Sequence, residues 1–339
     1  MHIRKAVLST IALLGAGLSV AASTGVTAAR TGATTSGTTA GTTGGTTGGT
    51  THPAAAADGW QQVGSDIRSG VSGLTVISRS GGTYRALVAL DNKRPGETRI
   101  ARLTYGPAES GSATGVRPLE WQGGAEPIDL EALEAVPGTS DEYLAVASRG
   151  LVYHLRSTGD GKTVEVRDLS PLPAIGQADN FESFTLVAQH GRLAAVWADR
   201  GEGTDRPATL YAAPLSFDAY GGSAFGAVTK AVYRAPYPTG HVRHASDIAV
   251  TDSGRLLIAS ASDEGDDGPF DSAVSDAGSV RLDRSGRVRL RVAGRPEVLR
   301  TFQGHKVEAV DCVPGSGVAV LGTDDENAGG AVTTARICD

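Results

Sequence analysis

One pattern of short strands recurs five times between Asp58 and the C-terminus, and that recurrence constrains the fold more than any single motif. Each copy opens on an apolar run, at 74–78, 130–136, 181–187, 247–251 and 307–313. A tight turn leads to a second run, at 84–90, 143–147, 193–197, 256–261 and 318–322. A variable loop precedes a third, at 98–105, 151–156, 209–215, 278–282 and 331–337. A weaker fourth follows at 116–121, 164–169, 228–233 and 297–302, and the last copy lacks it. Counted from Gly73 through Glu131, Glu182 and Asp247 to Glu308, the copies start 58, 51, 65 and 61 residues apart, which suits four strands plus loops. Segment 60–67 precedes the first copy, where the other copies are preceded by a fourth strand. Its pairing with 331–337 would close a ring and leave no open edge between blades. The pattern predicts an all-β fold, a five-bladed β-propeller of four-stranded blades closed by the N-terminal strand on the C-terminal blade. A pair of β-sandwiches is the rival arrangement.

Composition agrees with this reading. The 46 glycines in 339 residues argue against a helical bundle or a coiled coil. Two cysteines cannot staple a chain of this length, so a disulfide scaffold is excluded. Cys312 ends the first strand of the last copy and Cys338 follows its third, which places both at one side of that blade. In a secreted chain they form a disulfide, and buried free thiols are the alternative.

Three regions follow in chain order. Residues 1–29 read as a secretory signal: Arg4 and Lys5 precede an uncharged stretch that ends in small residues. The strongly apolar part is too short to span a bilayer, so no stable membrane anchor is expected. Residues 30–57 form a flexible linker, because 31–51 contain 11 Thr, 7 Gly, 2 Ala and 1 Ser and can build no core. The body, 58–339, has 28 basic and 37 acidic residues, a net charge of −9. That balance argues against nucleic acid as partner and is compatible with cation binding. The expected product is a secreted, extracellular monomer.

Acids recur at the starts of the innermost strands: Glu131, Glu182, Asp247 and Glu308, with Gly73 at the fifth position. In a propeller these starts meet around the central channel, where like charges repel and desolvation penalises them. A shared cation resolves the conflict. Carboxylates with no thiolate nearby are hard ligands and suit Ca²⁺, with Ser72 or water completing the set. The bland alternative is a wet channel in which these acids bind water or backbone amides. Near them stand Asp129, Asn180, Lys306, His241, His244 and His305. His244 and His305 are candidate proton shuttles. The charged loops contain Arg94, Arg149 and Arg200, which with Lys306 are candidate anion partners for a substrate. No nucleophile elbow, zinc-protease helix motif, P-loop or dinucleotide fingerprint is present.

Five blades around a cation resemble the calcium-activated nucleotidases, the apyrases. That resemblance rests on Glu131, Glu182, Asp247, Glu308 and Ser72, and on the run Ser148-Arg149-Gly150-Leu151-Val152-Tyr153. It departs at Gly73 and at the shorter Asp247. The starts like Asp129-Leu130-Glu131-Ala132 and the loop Gly322-Thr323-Asp324-Asp325-Glu326-Asn327 are similar to those of bacterial esterase-like phytase propellers. Both resemblances imply Ca²⁺ and a small phosphate-ester substrate, hence a Ca²⁺-dependent phosphoric ester or nucleotide hydrolase. The alternative is a non-enzymatic extracellular binding propeller with a structural cation, whose loops contact a partner or an extracellular polymer.

Overall fold

A computed structural model describes residues 59–107, 113–219 and 221–339. The segments assigned to a signal and a linker, 1–29 and 30–57, lie outside the described residues. The body is a five-bladed β-propeller of antiparallel sheets, and among the described residues no helix is long and apolar enough to cross a membrane.

Blade 1 runs β2 (Gly73–Ser80), β3 (Thr83–Ala89), β4 (Ile100–Tyr105) and β5 (Gly115–Pro118) from the channel outward. Blade 2 is β7 (Leu130–Ala135), β8 (Glu142–Ala147), β9 (Leu151–Ser157) and β10 (Thr163–Pro171). Blade 3 is β11 (Phe181–Gln189), β12 (Arg192–Asp199) and β13 (Ala208–Phe217), its outer edge shared by β14 (Ser223–Phe225) and β15 (Thr229–Tyr233). Blade 4 is β16 (Val242–Val250), β17 (Arg255–Ser262), β18 (Asp271–Leu282) and β19 (Val288–Gln303). Blade 5 is β20 (Val307–Val313), β21 (Val318–Thr323) and β22 (Gly330–Arg336), with β1 (Gln61–Gly64) as its outer strand. β1 pairs antiparallel with β22, Gln61 opposite Val332 and Gln62 opposite Ala331. Cys312 and Cys338 are joined by a disulfide within this blade.

The core is divided into five apolar clusters, each between two neighbouring blades. This explains the nearly continuous apolar runs. A blade strand is covered on both faces, so neither set of alternating side chains can be polar. On β17, Leu256 and Ile258 pack towards blade 3 while Leu257 and Ala259 pack towards blade 5. On β12, Ala194 and Val196 face blade 4 while Ala195 and Trp197 face blade 2.

Two details differ from the strand pattern read in the sequence. The run 116–121 breaks at Leu119: β5 ends at Pro118, and Glu120–Gln122 (β6) crosses to pair in parallel with β10 of blade 2. Strands β18 and β19 extend well beyond 278–282 and 297–302, through a bulge at Gly278. Gly278 has φ 136° and a Cβ there would lie 2.1 Å from the Arg291 carbonyl oxygen, so only glycine fits.

Candidate functional site at the mouth of the channel

The innermost strands enter the channel at one end, which is also where the second strands finish. Three of them begin with a β-bulge. Leu130 pairs with Ala147 and Ala132 with Val146, which leaves Glu131 unpaired between them. Glu182 and Glu308 occupy the same place, between Phe181 and Ser183 and between Val307 and Ala309. A bulged residue is freed from the alternation of the pleat. These three carboxylates thereby reach one buried region.

The register separates Asp247 from them. Arg243 pairs with Ala261 and Asp247 with Ala259, so four residues of β16 span two of β17. Asp247 therefore aligns with Ala132, Ser183 and Ala309, while Ser246 aligns with Glu131. Its Oδ2 accepts the Val310 N–H at 2.7 Å, a bond across to blade 5. Burial pushes its pKa well up, and the Val310 and Ile248 amides only partly offset this. Ser72, aligned with the bulged acids, is 1% exposed, and its hydroxyl has no hydrogen-bond partner.

The mouth divides into two groups. In the first, one oxygen each of Asp91, Asp129 and Glu131 lie within 4.8 Å of one another. Asp129 has φ 65°, a conformation that aspartate tolerates better than most residues and that recurs at functional sites. Its Oδ2 accepts from Ser148 Oγ at 2.5 Å, and Lys93 Nζ lies 2.9 Å from its Oδ1 and 3.1 Å from Asp91 Oδ2. Burial alone would raise the Asp129 pKa; Lys93 and Ser148 overcome it and hold the carboxyl below the usual range. Glu131 behaves oppositely. Burial, then the charges of Glu182, Asp129 and Glu308, push it well above the ordinary glutamate value.

In the second group the acids have internal cations. Arg200 Nη1 donates to Glu182 Oε1 at 2.8 Å. Arg243, on β16, spans three blades: Nη1 lies 3.3 Å from Glu182 Oε1 and 3.0 Å from Glu308 Oε1, and Nη2 lies 2.6 Å from Asp263 Oδ2. Lys306 is 1% exposed and its Nζ lies 3.1 Å from Glu308 Oε1, 4.0 Å from Asp324 Oδ2, and against Glu326. Burial lifts Glu308 to about 7 even though Lys306 and Arg243 oppose the rise. Asp324 is also pushed well up, by burial and then by Glu308. Across both groups, eight carboxylates (Asp91, Asp129, Glu131, Glu182, Asp263, Glu308, Asp324, Glu326) share four cations, Lys93, Arg200, Arg243 and Lys306. Glu182 Oε2 and Arg200 Nε are buried without a hydrogen-bond partner.

The other sequence candidates are dispersed. His244 is buried and both ring nitrogens are engaged: the Ala235 N–H donates to Nδ1 at 3.1 Å, and Nε2 donates to the Gly203 carbonyl at 2.8 Å. Burial lowers its pKa, and an Nδ1 that accepts from an N–H carries no proton, so this arrangement holds a neutral ring. His305 Nδ1 bonds Asp325 Oδ2 at 2.8 Å and the ring lies 4.4 Å from that of Trp60. The side chains of Arg94 and Arg149 are exposed, and Arg149 donates to the Asp179 carbonyl at 3.3 Å. Arg200 and Lys306 do enter the mouth. Arg243 belongs to no motif in the sequence; its signal is an arginine on a run that continues into a buried strand, where a charge needs partners.

Comparison with known proteins adds the following. No protein-family model and no curated protein matches the chain. Among solved structures, a protein described as a glycoside hydrolase gives a TM-score of 0.47 at 9% identity, over 80% of this chain and 61% of that one. A GH43 β-1,3-galactosidase gives 0.44 at 9% identity, over 81% and 94%. The catalytic domain of a GH62 α-L-arabinofuranosidase from Coprinopsis cinerea gives 0.44 at 12% identity, over 82% and 97%. The resemblance to apyrases and to esterase-like phytases is corrected: these solved structures are glycoside hydrolases. The physical reason is in the mouth. The shared acid position on which the resemblance rested excludes Asp247, and Glu182 and Glu308 are held by Arg200, Arg243 and Lys306. Likeness at this level of identity extends to the fold alone.

Proposed function

We propose that this is a ligand-binding propeller whose working site is the channel mouth, and that Asp91, Asp129 and Glu131 take a divalent cation there. The observation that supports it is the surplus of carboxylates over cations, concentrated where three carboxylate oxygens lie within 4.8 Å of one another. An all-oxygen set of hard donors suits Ca²⁺. Lys93 holds the centre of the group with its ammonium, and its side chain is 59% exposed, so it can withdraw to solvent as the ion enters. The proposed setting is extracellular, supported by the signal-like residues 1–29 and by the disulfide, which belongs to an oxidising compartment. The test is calorimetric titration of chelator-treated protein with Ca²⁺, together with its melting temperature. Binding is expected, tightened by Lys93→Ala and lost in Asp129→Asn. Absence of heat and of any thermal shift in both wild type and Lys93→Ala refutes the cation.

A second reading has its own observation. The Asp129 carboxyl is held below the usual range while the Glu131 carboxyl beside it is pushed well up, and two carboxyl groups with pKa values driven apart are the arrangement of a general base next to a general acid. This favours a hydrolase acting at the mouth. A panel of glycosides and esters, assayed from pH 4 to pH 9 with Glu131→Gln as control, separates the two readings.

A further inference from the structure

The outer edge of blade 4 carries a charge pattern opposite to that of the mouth. Between Arg281 and Arg300 there are seven arginines, no lysine and two acids, in a body whose net charge is negative. The segment forms the end of β18, its turn, and β19, the outermost strand of the blade. Val280, Leu282 and Val288 pack into the core beside blade 3. Alternation then sends Arg281, Arg287, Arg289 and Arg291 to the opposite, solvent face. Arg281 is directly opposite Arg289 in the ladder, and Arg291 is two residues further along the same face. All four are exposed, as are Arg284 and Arg295. Arg192 of blade 3 also reaches the turn: its Nη1 lies 3.4 Å from the point that a Cβ on Gly286 would occupy.

Like charges directly opposite one another on a ladder are unfavourable. Edge strands do use charge to prevent sheet addition, but mixed or single charges suffice for that purpose. Here five of the seven arginines have no neutralising partner among the described residues. Asp283 spends its carboxylate on its own turn, accepting from Ser285 and Arg287 N–H, and is 4.0 Å from Arg289 Nε. Arg281, Arg284, Arg287, Arg291 and Arg295 have no carboxylate partner among the described residues.

We propose that this edge is a docking surface for a linear polymer of phosphodiesters, of the polyol-phosphate kind. Charge complementarity supplies the attraction. The choice of arginine throughout selects for acceptors that receive a planar fork of donors. The cross-strand pair Arg281 and Arg289, about 5 Å apart at Cβ, sets two forks on one acceptor. A phosphodiester can receive both through its two non-bridging oxygens. Arginines at alternate positions of β19, about 7 Å apart, then meet successive charges along an extended chain. This surface is separate from the channel mouth and does not depend on the function proposed there.

The experiment is a binding titration of the full chain with poly(glycerol phosphate), repeated at several salt concentrations. Polygalacturonate and single-stranded DNA serve as parallel probes. Binding that weakens steeply with salt is expected. Arg281→Ala/Arg289→Ala/Arg291→Ala should lower affinity at least tenfold and reduce the logarithmic salt slope by about 2. Arg85→Ala/Arg117→Ala on blade 1 should change neither. Should the triple variant melt early, Arg291→Ala alone gives the same readout with about one third of the change in slope. The proposal is overturned by no binding, by equal losses from the blade 1 control, by polygalacturonate binding as tightly, or by DNA binding more tightly.

Discussion

The channel mouth and the outer edge of blade 4 are both crowded with charge, and burial makes them different objects. At the mouth, Glu182, Glu308 and Lys306 are at most 5% exposed, so every ion pays for desolvation and must be met by a partner within a few ångströms. The result is a mixed network in which pKa values are displaced. At the edge the arginines stand in water, where screening lets one sign accumulate without counter-ions. A buried charge thus acts on its neighbours and on protons, while an exposed row acts at long range on a multivalent partner.

The hardest way to break this contrast is to remove the central cation of the mouth. Arg243→Met leaves Glu182 and Glu308 buried and facing each other with one counter-ion fewer. Breaking a buried pair on one side costs about 3–5 kcal/mol. Urea unfolding of the variant should show that loss; a cost under about 1 kcal/mol would mean that the mouth behaves like a surface.

A second prediction follows from protons. Glu131, Glu308 and Asp324 have folded pKa values above their unfolded ones, Glu308 at about 7. Groups of this kind contribute stability that is present below the unfolded value and is lost as pH rises through the folded value. The melting temperature should therefore fall between about pH 5 and pH 8. Glu131→Gln, which stays neutral, should flatten the fall. A bound divalent cation should flatten it too, because it stabilises the ionised carboxylates. A melting temperature that rises over this interval would show that the opposite shift of a group titrating in the same range, the buried His244, dominates instead.

The same contrast explains what could be read in the sequence. Strand runs were legible because both faces of each blade are apolar, so 256–261 and 193–197 read as unbroken stretches. Glu131, Glu182 and Glu308 were legible because one extra residue precedes the same apolar position in three blades. Asp247 was misaligned because β16 inserts two residues where the others insert one. Arg243 was invisible as a partner because its carboxylates come from blades 3, 4 and 5, at sequence separations of 61, 20 and 65. The arginine edge escaped for another reason. The fourth-strand pattern of blade 4 covers only 297–302, whereas β19 begins at Val288, where Val288, Leu290 and Val292 alternate with arginine.

The smallest expected effect is at the edge itself, and it sharpens the comparison most. Arg289→Ala and Arg291→Ala remove exposed side chains whose nearest carboxylate is 4.0 Å away or absent among the described residues. Exposed ion pairs of this quality are worth about 0–1 kcal/mol, and surface substitutions away from special features stay within about 0.5 kcal/mol. Stability in water should therefore be unchanged or slightly raised, since each deletion removes like-charge repulsion across the β18–β19 ladder. Raising the salt concentration should stabilise the wild type more than the double variant, because screening relieves a repulsion that the variant no longer has. Equal responses to salt would mean that the arginines do not feel one another, and the edge would then differ from the mouth in exposure alone.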